Sequence, residues 1–500
     1  MSPRQSAGPA YVLLSDNIRD DCRRQRASLA SISADRPVGP SDPHLSRTKR
    51  GTSMKIASPR RRTGEIRVAL TGANGGFGRT FLAQLRSTPD IRATALIDPD
   101  VDGTVAMLAD LGITAFEIAD APSSAHAAAA SGETALLSSL EAIDWDSVDV
   151  LVEATGNVPA GTAYSEAALD HGTHVVMISK EVDTAVGAAL AARAAETGLS
   201  YLPGDGDQPA NLLRLLDWIS AVGLDIVAVG KSSEYDLVFD PESSTVTQNG
   251  ECVPVADFAA LLALGEDVPA TLERRARALS DLKRRAAADA CEMTVVSQRV
   301  GMPADVPEMH YPVARPSELA DIYSAREDGG VRSHDGIVDV FSALRLPNEA
   351  SFAGGVFAIV RAEDPATWDT LRGKGHVVSR SGTLAAIYWP YHLMGVETPL
   401  SIYAAVDGTP SRAPRPTTMM AARAQRRLAA GTDLIVAGHH HEIAGVDPVM
   451  ITPAEGTAAY YVLSGTTLRR DIAEGEVISV DDVDGIDRRV LELNQSVQDV

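Results

Sequence analysis

The segment at residues 71–78 has the residue types and spacing needed to hold the pyrophosphate of a dinucleotide. It follows an apolar run at 66–70, which is typical of a buried parallel strand, and it precedes a helical pattern at 80–85. In such a turn the glycines permit a tight bend, admit backbone N–H groups to the phosphates and let the helix pack closely on the strand. The residues predicted to form this site are Gly72, Asn74, Gly75, Gly76, Phe77 and Gly78.

An aspartate ends the next apolar strand. Asp98 lies twenty residues after Gly78 and directly before Pro99. A carboxylate at this place hydrogen-bonds the ribose hydroxyls of a dinucleotide and repels a 2′-phosphate. We therefore expect NAD(P) as the cofactor, with a preference for NAD. The alternative role for Asp98 is that of a turn residue.

Two further strands deliver polar residues to the same edge. The run at 148–153 is followed by Thr155, Gly156 and Asn157, and the run at 174–178 is followed by Ser179 and Lys180. Ligands of open α/β sheets bind at the carboxyl ends of the strands. We therefore expect Thr155, Gly156 and Asn157 near the nicotinamide.

These segments resemble the nucleotide domain of homoserine dehydrogenases. The likeness lies in the glycine turn, in Glu-Ala-Thr-Gly-Asn at 153–157 and in His-Val-Val-Met-Ile-Ser-Lys at 174–180. In that family a lysine after the equivalent strand lies beside the nicotinamide and the substrate. The resemblance implies this role for Lys180, and a surface lysine is the alternative.

A second group of candidate residues follows. Asp205 and Asp207 precede a helical pattern that runs to about residue 222, and they could cap the helix or hold a divalent cation. Lys231 follows a strand at 225–229, where a lysine can bind an anion or transfer a proton. The sequence leaves the presence and identity of a metal open.

The glycine-rich stretch at 372–382 is the third candidate region. It offers cations, hydroxyls and one group of near-neutral pKa to an anionic substrate through Lys374, His376, Ser379, Arg380 and Ser381. A structural turn with solvated charges is the alternative. Tyr391 and His392 follow, either as core residues or as functional ones.

Longer motifs at 204–209, 228–231, 372–382 and 391–399 resemble the bacterial deoxyxylulose-phosphate-reductoisomerase-like oxidoreductases. The likeness covers about residues 64–485. It implies a homoserine-dehydrogenase-like nucleotide domain, a catalytic domain and a C-terminal SAF domain. It also implies NAD(P)-dependent oxidation or reduction of a small polyhydroxylated substrate, with or without a phosphate. In the best-known activity, deoxyxylulose phosphate is isomerised and reduced to methylerythritol phosphate.

One segment departs from that family. The family carries a stretch like Asp-Gly-Thr-Lys-Ser before the helix with Glu-Met, whereas here Ala288 stands for the lysine and Arg285 for the acid. The departure puts the shared chemistry in doubt. Glu292 remains, as a metal ligand, a general acid/base or an ordinary helix residue.

The C-terminal part has a different composition. A helical pattern is predicted at 420–428, and the run at 471–483 resembles SAF domains, which are small β-rich modules. His439, His440 and His441 are adjacent, and in an extended segment they point to alternate faces and do not converge on one ion. A polar exposed loop is the favoured interpretation.

The alternation of strands and helices over 66–205 predicts an α/β fold, a Rossmann-type doubly wound parallel sheet. An Ala/Ser-rich helical insertion is expected at 122–142. An α+β catalytic domain and a small β-rich domain complete the prediction. The predicted boundaries are an extension at 1–62 that is disordered or wrongly assigned, a nucleotide domain at 63–230, a catalytic domain at 231–414 and an SAF-like domain at 415–500.

Composition excludes several classes. The 500 residues are 45% hydrophobic and 22% charged, as in ordinary globular proteins. The net charge of −22 argues against nucleic-acid binding, and no apolar run is long enough for a membrane span. Three cysteines without metal-ligand spacing fit a reducing cytoplasm. We expect a cytoplasmic homo-oligomer whose partner is a small-molecule substrate.

Together these features predict an NAD(P)-dependent oxidoreductase that acts on CH–OH groups. In this hypothesis Lys180 or Lys231 polarises the carbonyl or passes its proton, and Lys374 and Arg380 hold the substrate anion. The alternatives are a homoserine dehydrogenase, or a non-catalytic protein that senses a dinucleotide or metabolite. The segment at 284–289 favours the non-catalytic alternative, whereas the three lysines oppose it.

Overall fold

The computed structural model describes residues 64–438 and 440–497. The predicted extension at 1–62 and His439 lie outside the described residues. No helix within the described residues is long and apolar enough to cross a membrane.

A seven-stranded parallel sheet forms the first part of the structure, in the order β3-β4-β2-β1-β5-β6-β7. Its strands are β1 (Ile66–Thr71), β2 (Ile91–Ile97), β3 (Phe116–Ile118), β4 (Thr134–Leu137), β5 (Val150–Glu153), β6 (His174–Met177) and β7 (Tyr201–Pro203). The order reverses between β1 and β5, which creates a crevice at their carboxyl ends. The predicted Rossmann-type fold is confirmed.

Helices cover both faces of this sheet. They are α1 (Gly76–Leu85), α2 (Val101–Leu111), α3 (Pro122–Ser131), α4 (Val158–Asp170), α5 (Lys180–Glu196) and α6 (Gln208–Ala221). Along β1, Val68 and Leu70 belong to one buried cluster and Ala69 to the other, because successive side chains point to opposite faces. Burial on both faces explains the continuous apolar runs of these strands.

A nine-stranded mixed sheet forms the second part, in the order β11-β10-β9-β13-β8-β14-β16-β15, with β12 paired to β13. Its strands are β8 (Ile226–Ser232), β9 (Leu237–Asp240), β10 (Thr245–Gln248), β11 (Glu251–Pro254), β12 (Val313–Ala314), β13 (Ile337–Arg345), β14 (Val356–Arg361), β15 (Val377–Val378) and β16 (Leu384–Trp389). The helices of this part are α7 (Val268–Ala278), α8 (Ala287–Val300), α9 (Leu319–Ile322), α10 (Pro365–Gly373) and α11 (Pro399–Val406). The boundary predicted at residue 230 falls inside β8.

Small antiparallel sheets form the C-terminal part. Its elements are β17 (Met419–Ala424), β18 (Asp433–Leu434), β19 (Val436–Ala437), β20 (Glu442–Ile443), β21 (Val446–Ile451), β22 (Thr466–Leu468), β23 (Val483–Asp484) and α12 (Arg488–Ser496). The predicted β-rich character is confirmed, and the assignment to the SAF type stays a prediction.

Two helices join the parts. Every residue of α8 from 289 to 299 is buried, because this helix packs against α5, α6, β13 and β21. Helix α11 packs back on β6 and β7, where Ile402 and Ala405 enter the core of the parallel sheet. A helix from the second part therefore completes the helical layer on one face of the first sheet.

Two local predictions are wrong. The segment predicted as helical at 122–142 contains helix α3 but then strand β4, which pairs with β2 and β3. The helix predicted at 420–428 is instead strand β17, paired with β21 over its whole length. Both strands are almost wholly buried, and a short apolar run without alternation does not distinguish a buried strand from a buried helix.

Candidate active site

The glycine turn between β1 and α1 has the shape that a pyrophosphate requires. Gly72 has φ +63°, and a Cβ atom there would lie 2.3 Å from the carbonyl oxygen of Ala154. A Cβ atom on Gly78 would lie 2.2 Å from the carbonyl oxygen of Ala73. Helix α1 begins after Gly75 with no side chain capping its N–H groups. These free N–H groups fit the phosphates of a dinucleotide.

The carboxylate of Asp98 accepts hydrogen bonds from the backbone next to the glycine turn. Its Oδ2 accepts the backbone N–H of Asn74 at 2.9 Å, and its Oδ1 accepts that of Asp100 at 2.9 Å. The side chain is 9% exposed at the end of β2. Each carboxylate oxygen keeps a second lone pair for a ribose hydroxyl. The geometry accommodates both roles predicted for Asp98, the turn residue and the ribose ligand.

Glu153, the last residue of β5, fixes the loop that follows the strand by hydrogen bonds. Buried Glu153 accepts the hydroxyl of Thr155 at 2.6 Å and its N–H at 2.9 Å, and burial raises the pKa of Glu153. Asn157 caps helix α4 by accepting the N–H of Ala160. The N–H of Gly156 donates to Ser179 Oγ at 2.8 Å. This last bond ties the loop to the residue that precedes Lys180.

Two lysines and three carboxylates meet beside that loop. The Nζ of Lys180 donates to Oε1 of Glu292 and lies 4.0 Å from Oδ2 of Asp207. The Nζ of Lys231 donates to the other oxygen of Glu292 and to Oδ1 of Asp289, the latter at 2.7 Å. One carboxylate, Glu292, thus bridges both lysines.

Three separate elements position these groups. Lys180 begins α5 directly after β6, Lys231 lies in β8, and the two acids lie in α8. Asp289 and Glu292 are three residues apart, a spacing that places both on one face of a helix. Side-chain exposure is 22% for Lys180 but only 1% for Lys231. A substrate can therefore contact Lys180, whereas Lys231 lies beneath it.

Charge compensation sets the pKa values in this cluster. Burial alone would lower the pKa of Lys180, but the carboxylates of Asp207, Glu292 and Glu181 raise it well above its usual range. Burial opposes the charged form of Glu292 as well, but the ammonium groups of Lys180 and Lys231 lower the pKa of Glu292 to about 2. Lys180 and Glu292 are therefore both charged at neutral pH.

The pKa values of the other two acids, Asp207 and Asp289, are raised. Burial and the charge of Glu292 raise the pKa of Asp207, against the opposing effect of Lys180. Burial and Glu292 also raise the pKa of Asp289, although Lys231 opposes this shift. The more exposed of the two is Asp207, whose side chain is 22% exposed. Asp207 is thus the carboxylate best suited to exchange a proton with a substrate.

Asp205 does not join this cluster. It pairs with Arg214 at 2.6 Å and accepts the hydroxyl of Ser401, whereas Asp207 caps α6 by accepting the N–H of Gln208. Within residues 64–438 and 440–497, no group of three or more His, Cys, Asp or Glu side chains is arranged to hold a metal ion. The carboxylates of Asp289 and Glu292 face ammonium groups instead.

The structure does not bring the predicted anion-binding residues to the lysine cluster. Lys374 follows the last residue of α10 and His376 precedes edge strand β15, and two strands separate β15 from the strand of Lys231. Arg380 lies 3.3 Å from Asp321 and also donates to the carbonyl of Gly265. Their role as substrate anchors stays a prediction to which the geometry adds no support. Tyr391 is exposed, whereas His392 lies near Asp207.

The histidine loop of the C-terminal part is not simply exposed. His441 Nδ1 lies 2.5 Å from Oε1 of Glu181, the residue after Lys180. His440 Nδ1 lies 3.4 Å from Glu234 Oε2, close to β8. This loop therefore contacts both the nucleotide edge and the second sheet.

Sequence reasoning missed Asp289 as a functional candidate. The three-residue spacing from Glu292 was a usable signal, because it aligns two acids on a buried helix face. No local signal pointed to His441 beside Glu181, since these residues are 260 positions apart.

Comparison with known families agrees with this architecture. Residues 74–203 match the model described as homoserine dehydrogenase, NAD binding domain. Residues 284–398 match the model described as oxidoreductase DRL, catalytic domain. The chain therefore carries an NAD-binding domain followed by an oxidoreductase catalytic domain. The resemblance inferred from the motifs is confirmed for these two regions, and no curated protein matches the chain.

Solved structures with a related fold are distant. A DOX-P reductoisomerase in complex with magnesium is 20% identical with a TM-score of 0.25, over 34% of this chain and 46% of that one. GenD2 from gentamicin A biosynthesis, in complex with NAD, is 14% identical with a TM-score of 0.35, over 72% and 92%. A myo-inositol dehydrogenase from Corynebacterium glutamicum is 11% identical with a TM-score of 0.32, over 65% and 75%. The chain thus matches less than half the length of the first of these.

Proposed function

We propose that this protein is a cytoplasmic NAD-dependent oxidoreductase that interconverts a CH–OH group and a carbonyl on a small polyhydroxylated substrate. The two matched domains support the oxidoreductase class. The specific step is supported by one observation, the placement of Lys180. Its charged side chain is partly exposed and is held by Glu292. It lies beside the loop that follows β5, at the carboxyl edge of the parallel sheet.

The cofactor would be held by residues of the first domain. Its pyrophosphate would contact the N–H groups after Gly75, and Asp98 would accept a ribose hydroxyl. Bound NAD⁺ supplies the hydride acceptor for alcohol oxidation, and NADH supplies the donor for the reverse reaction. Thr155 and Gly156 would border the nicotinamide, because they follow the carboxyl end of β5 at the crevice.

Lys180 and Asp207 are the groups that would stabilise the charge on the substrate oxygen and take its proton. In the oxidative direction Asp207 would take the hydroxyl proton, and bound NAD⁺ would supply the acceptor for the hydride that the carbinol carbon loses. The ammonium of Lys180 stabilises the negative charge that develops on the oxygen. It remains charged throughout, because its pKa is raised. The products are a carbonyl compound, NADH and the proton on Asp207.

Buried residues keep Lys180 in place. Glu292 has its two oxygens on Lys180 and Lys231, and Lys231 in turn contacts Asp289. Lys231 is almost completely buried and is therefore a positioning residue rather than one that touches the substrate. This chain of ion pairs fixes the direction of the Lys180 side chain.

A substrate screen tests the proposal. The full chain is incubated with NAD⁺ and a panel of polyols, sugar acids, their phosphates and homoserine, and NADH formation is recorded. Turnover of a polyhydroxylated compound that is lost in Lys180→Ala but kept in Arg274→Ala supports the proposal. Arg274 is an exposed residue of α7 and serves as the control. Turnover of homoserine alone would favour a homoserine dehydrogenase, and NADH binding without any turnover would favour a sensing protein.

A further inference from the structure

We propose that Arg284 and Arg285 bind an oxyanion group of the substrate, a phosphate monoester or a carboxylate, at the N-terminus of helix α8. The inference rests on the proposed function, because it names the substrate class that the same cleft accepts. It places the anchor in the segment that departs from the resembling family rather than at Lys374 and Arg380.

Two cavities meet at this segment. One of about 380 Å³ lies between residues 282–287 and residues 442–448. The other, of about 230 Å³, is lined by Ser233, Arg284, Arg285, Asp289 and His440, among others. Asp289 also contacts Lys231, so the smaller cavity reaches the buried lysine cluster. Both volumes are large enough for a small polar ligand.

Arg284 and Arg285 lack the carboxylate partner that two buried arginines of the described residues, Arg275 and Arg299, have. Arg275 pairs with Glu318 through two nitrogens, and Arg299 pairs with Asp183. Among the described residues, in contrast, Arg284 and Arg285 form no ion pair. The side chain of Arg284 is half-buried, and its single hydrogen bond goes to the carbonyl of Tyr311 at 3.4 Å.

The positive charges of Arg284 and Arg285 interact with each other, and the carboxylate of Glu308 also lies within electrostatic reach of Arg285. Burial and the neighbouring charge of Arg285 lower the pKa of Arg284. Arg285 lies 5.5 Å over the ring of Tyr311, which directs it along the cavity wall. Lys283 adds little to this repulsion, because the charge of its Nζ is compensated by Glu442. A ligand oxyanion would compensate both guanidinium groups, and Arg binds phosphate and carboxylate groups with two parallel hydrogen bonds.

The start of helix α8 adds backbone donors to the same place. The helix has fourteen residues, and its N-cap is Ala286, whose side chain cannot accept a hydrogen bond from the first turn. The N–H groups of Ala287 and Ala288 are therefore available, and the helix dipole favours an anion at this end. Among the described helices of eight or more residues, six of the other ten have Asn or Asp at the N-cap, whereas α8, like α3, has alanine there.

The proposed site lies at the N-terminus of the same helix as the residue that holds Lys180. Asp289 lines the cavity, and Glu292, which holds Lys180, follows one helical turn later, about 5 Å along the axis. A substrate bound by its oxyanion at the arginines would extend a few bonds toward Lys180. This arrangement selects small anionic substrates over neutral polyols of the same length.

Titration of the holoprotein tests the inference. Inorganic phosphate and acetate are titrated calorimetrically into the full chain at saturating NAD⁺, which fills the glycine turn. We expect phosphate or acetate to bind the wild-type protein and to bind Arg284→Gln or Arg285→Gln about 10- to 100-fold more weakly, the loss typical of one charge-assisted hydrogen bond. The tighter of the two probes identifies the oxyanion class. Arg274→Gln, an exposed arginine outside the cleft, should bind like the wild type.

The outcomes separate this inference from the proposed function. Wild-type protein that binds neither probe, or arginine variants that bind both probes as tightly as the wild type, would overturn the oxyanion site. NAD⁺ affinity is measured in the same samples, and failure of the wild type to bind NAD⁺ would instead defeat the proposed function. Arg285 is exposed, so Arg285→Gln keeps the test decisive even if Arg284→Gln fails to fold.

Discussion

The Nζ of Lys180 lies 4.0 Å from Oδ2 of Asp207, beside the ends of β6 and β7 of the parallel sheet. One group carries a permanent positive charge and the other a carboxyl whose pKa is raised by burial. Groups with opposed shifts beside each other are typical of sites that bind a reacting oxygen and move its proton. The pair gives the proposed oxidoreductase its polarising cation and its proton acceptor.

Replacing Lys180 should affect the chemical step more than cofactor binding. We expect Lys180→Ala to lower kcat by about two to four powers of ten, the range for one acid–base or polarising group. NADH affinity should change little, because the pyrophosphate contacts the turn at 72–78. Lys180→Arg should restore little activity, since the larger planar group does not fit between Glu292 and Asp207.

Steady-state rates and a fluorescence titration with NADH separate the outcomes. Arg274→Ala is the control and should match the wild type in both measurements. Lost NADH binding with normal turnover at saturation would make Lys180 a cofactor ligand. Full activity in Lys180→Ala would remove it from the mechanism.

Cofactor preference should depend on Asp98. We expect the wild type to bind NADH more tightly than NADPH, because the carboxylate repels a 2′-phosphate. Asp98→Asn keeps a side chain that can accept one backbone N–H but removes the charge. This variant should therefore have a smaller difference between its affinities for NADH and NADPH. Calorimetry with both cofactors measures this, with Asp102→Asn in α2 as the control. Tighter binding of NADPH, unchanged in Asp98→Asn, would show that the carboxylate does not face the ribose.

The buried ion pairs should contribute to stability. Lys231→Met leaves Asp289 and Glu292 without their buried cation, which we expect to cost about 3–5 kcal/mol of the free energy of unfolding. The double variant Lys231→Met/Asp289→Asn should recover part of the loss. Urea unfolding of the three proteins checks this. Equal stability of the wild type and Lys231→Met would contradict the assigned ion pairs.

Glu292 should give the stability a defined pH dependence. Its pKa is lowered to about 2 in the folded chain, from 4.5, so its contribution is fully present above about pH 4.5. That contribution, of about 3 kcal/mol, is lost as the pH falls from 4.5 towards 2. The difference in unfolding free energy between the wild type and Glu292→Gln should therefore shrink over this window. A constant difference would mean that Glu292 does not titrate there.

The contact between His441 and Glu181 should also depend on pH, with the opposite sign. The hydrogen bond to Glu181 raises the pKa of His441, against the opposing effect of burial. The stabilisation is present below the unfolded value of about 6.5 and is lost as the pH rises through the raised value. NMR titration of the histidine ring protons should show the raised pKa of His441, and Glu181→Gln should lower it. Glu166→Gln, in helix α4, should leave it unchanged.

The sequence predicted the parallel sheet, the glycine turn and the individual lysines. These features depend on local patterns, namely apolar runs, glycine spacing and position after a strand. Strands β4 and β17 were mistaken for helix because burial on all sides removes the alternation that marks a strand. Their pairing partners, β2 and β21, decide the outcome through tertiary contacts.

The arrangement of the site was less accessible to sequence reasoning. Lys180 and Glu292 are 112 residues apart, and Lys231 and Glu292 are 61 apart, so only the packing of α8 between the sheets brings them together. The same packing explains Arg380, whose charge suggested an anchor but whose side chain pairs with Asp321 at another edge. Residue type predicted the chemistry of each group, and topology selected which groups meet.

The most direct test is the structure of the complex with NAD⁺. We expect the pyrophosphate to lie on the N–H groups at the start of α1. We also expect the nicotinamide C4 to lie within about 6 Å of Lys180 Nζ, since a substrate carbon about 3.5 Å from C4 must place its oxygen about 3 Å from the ammonium. A nicotinamide ring more than about 10 Å from Lys180, or a dinucleotide bound away from the glycine turn, would contradict the account.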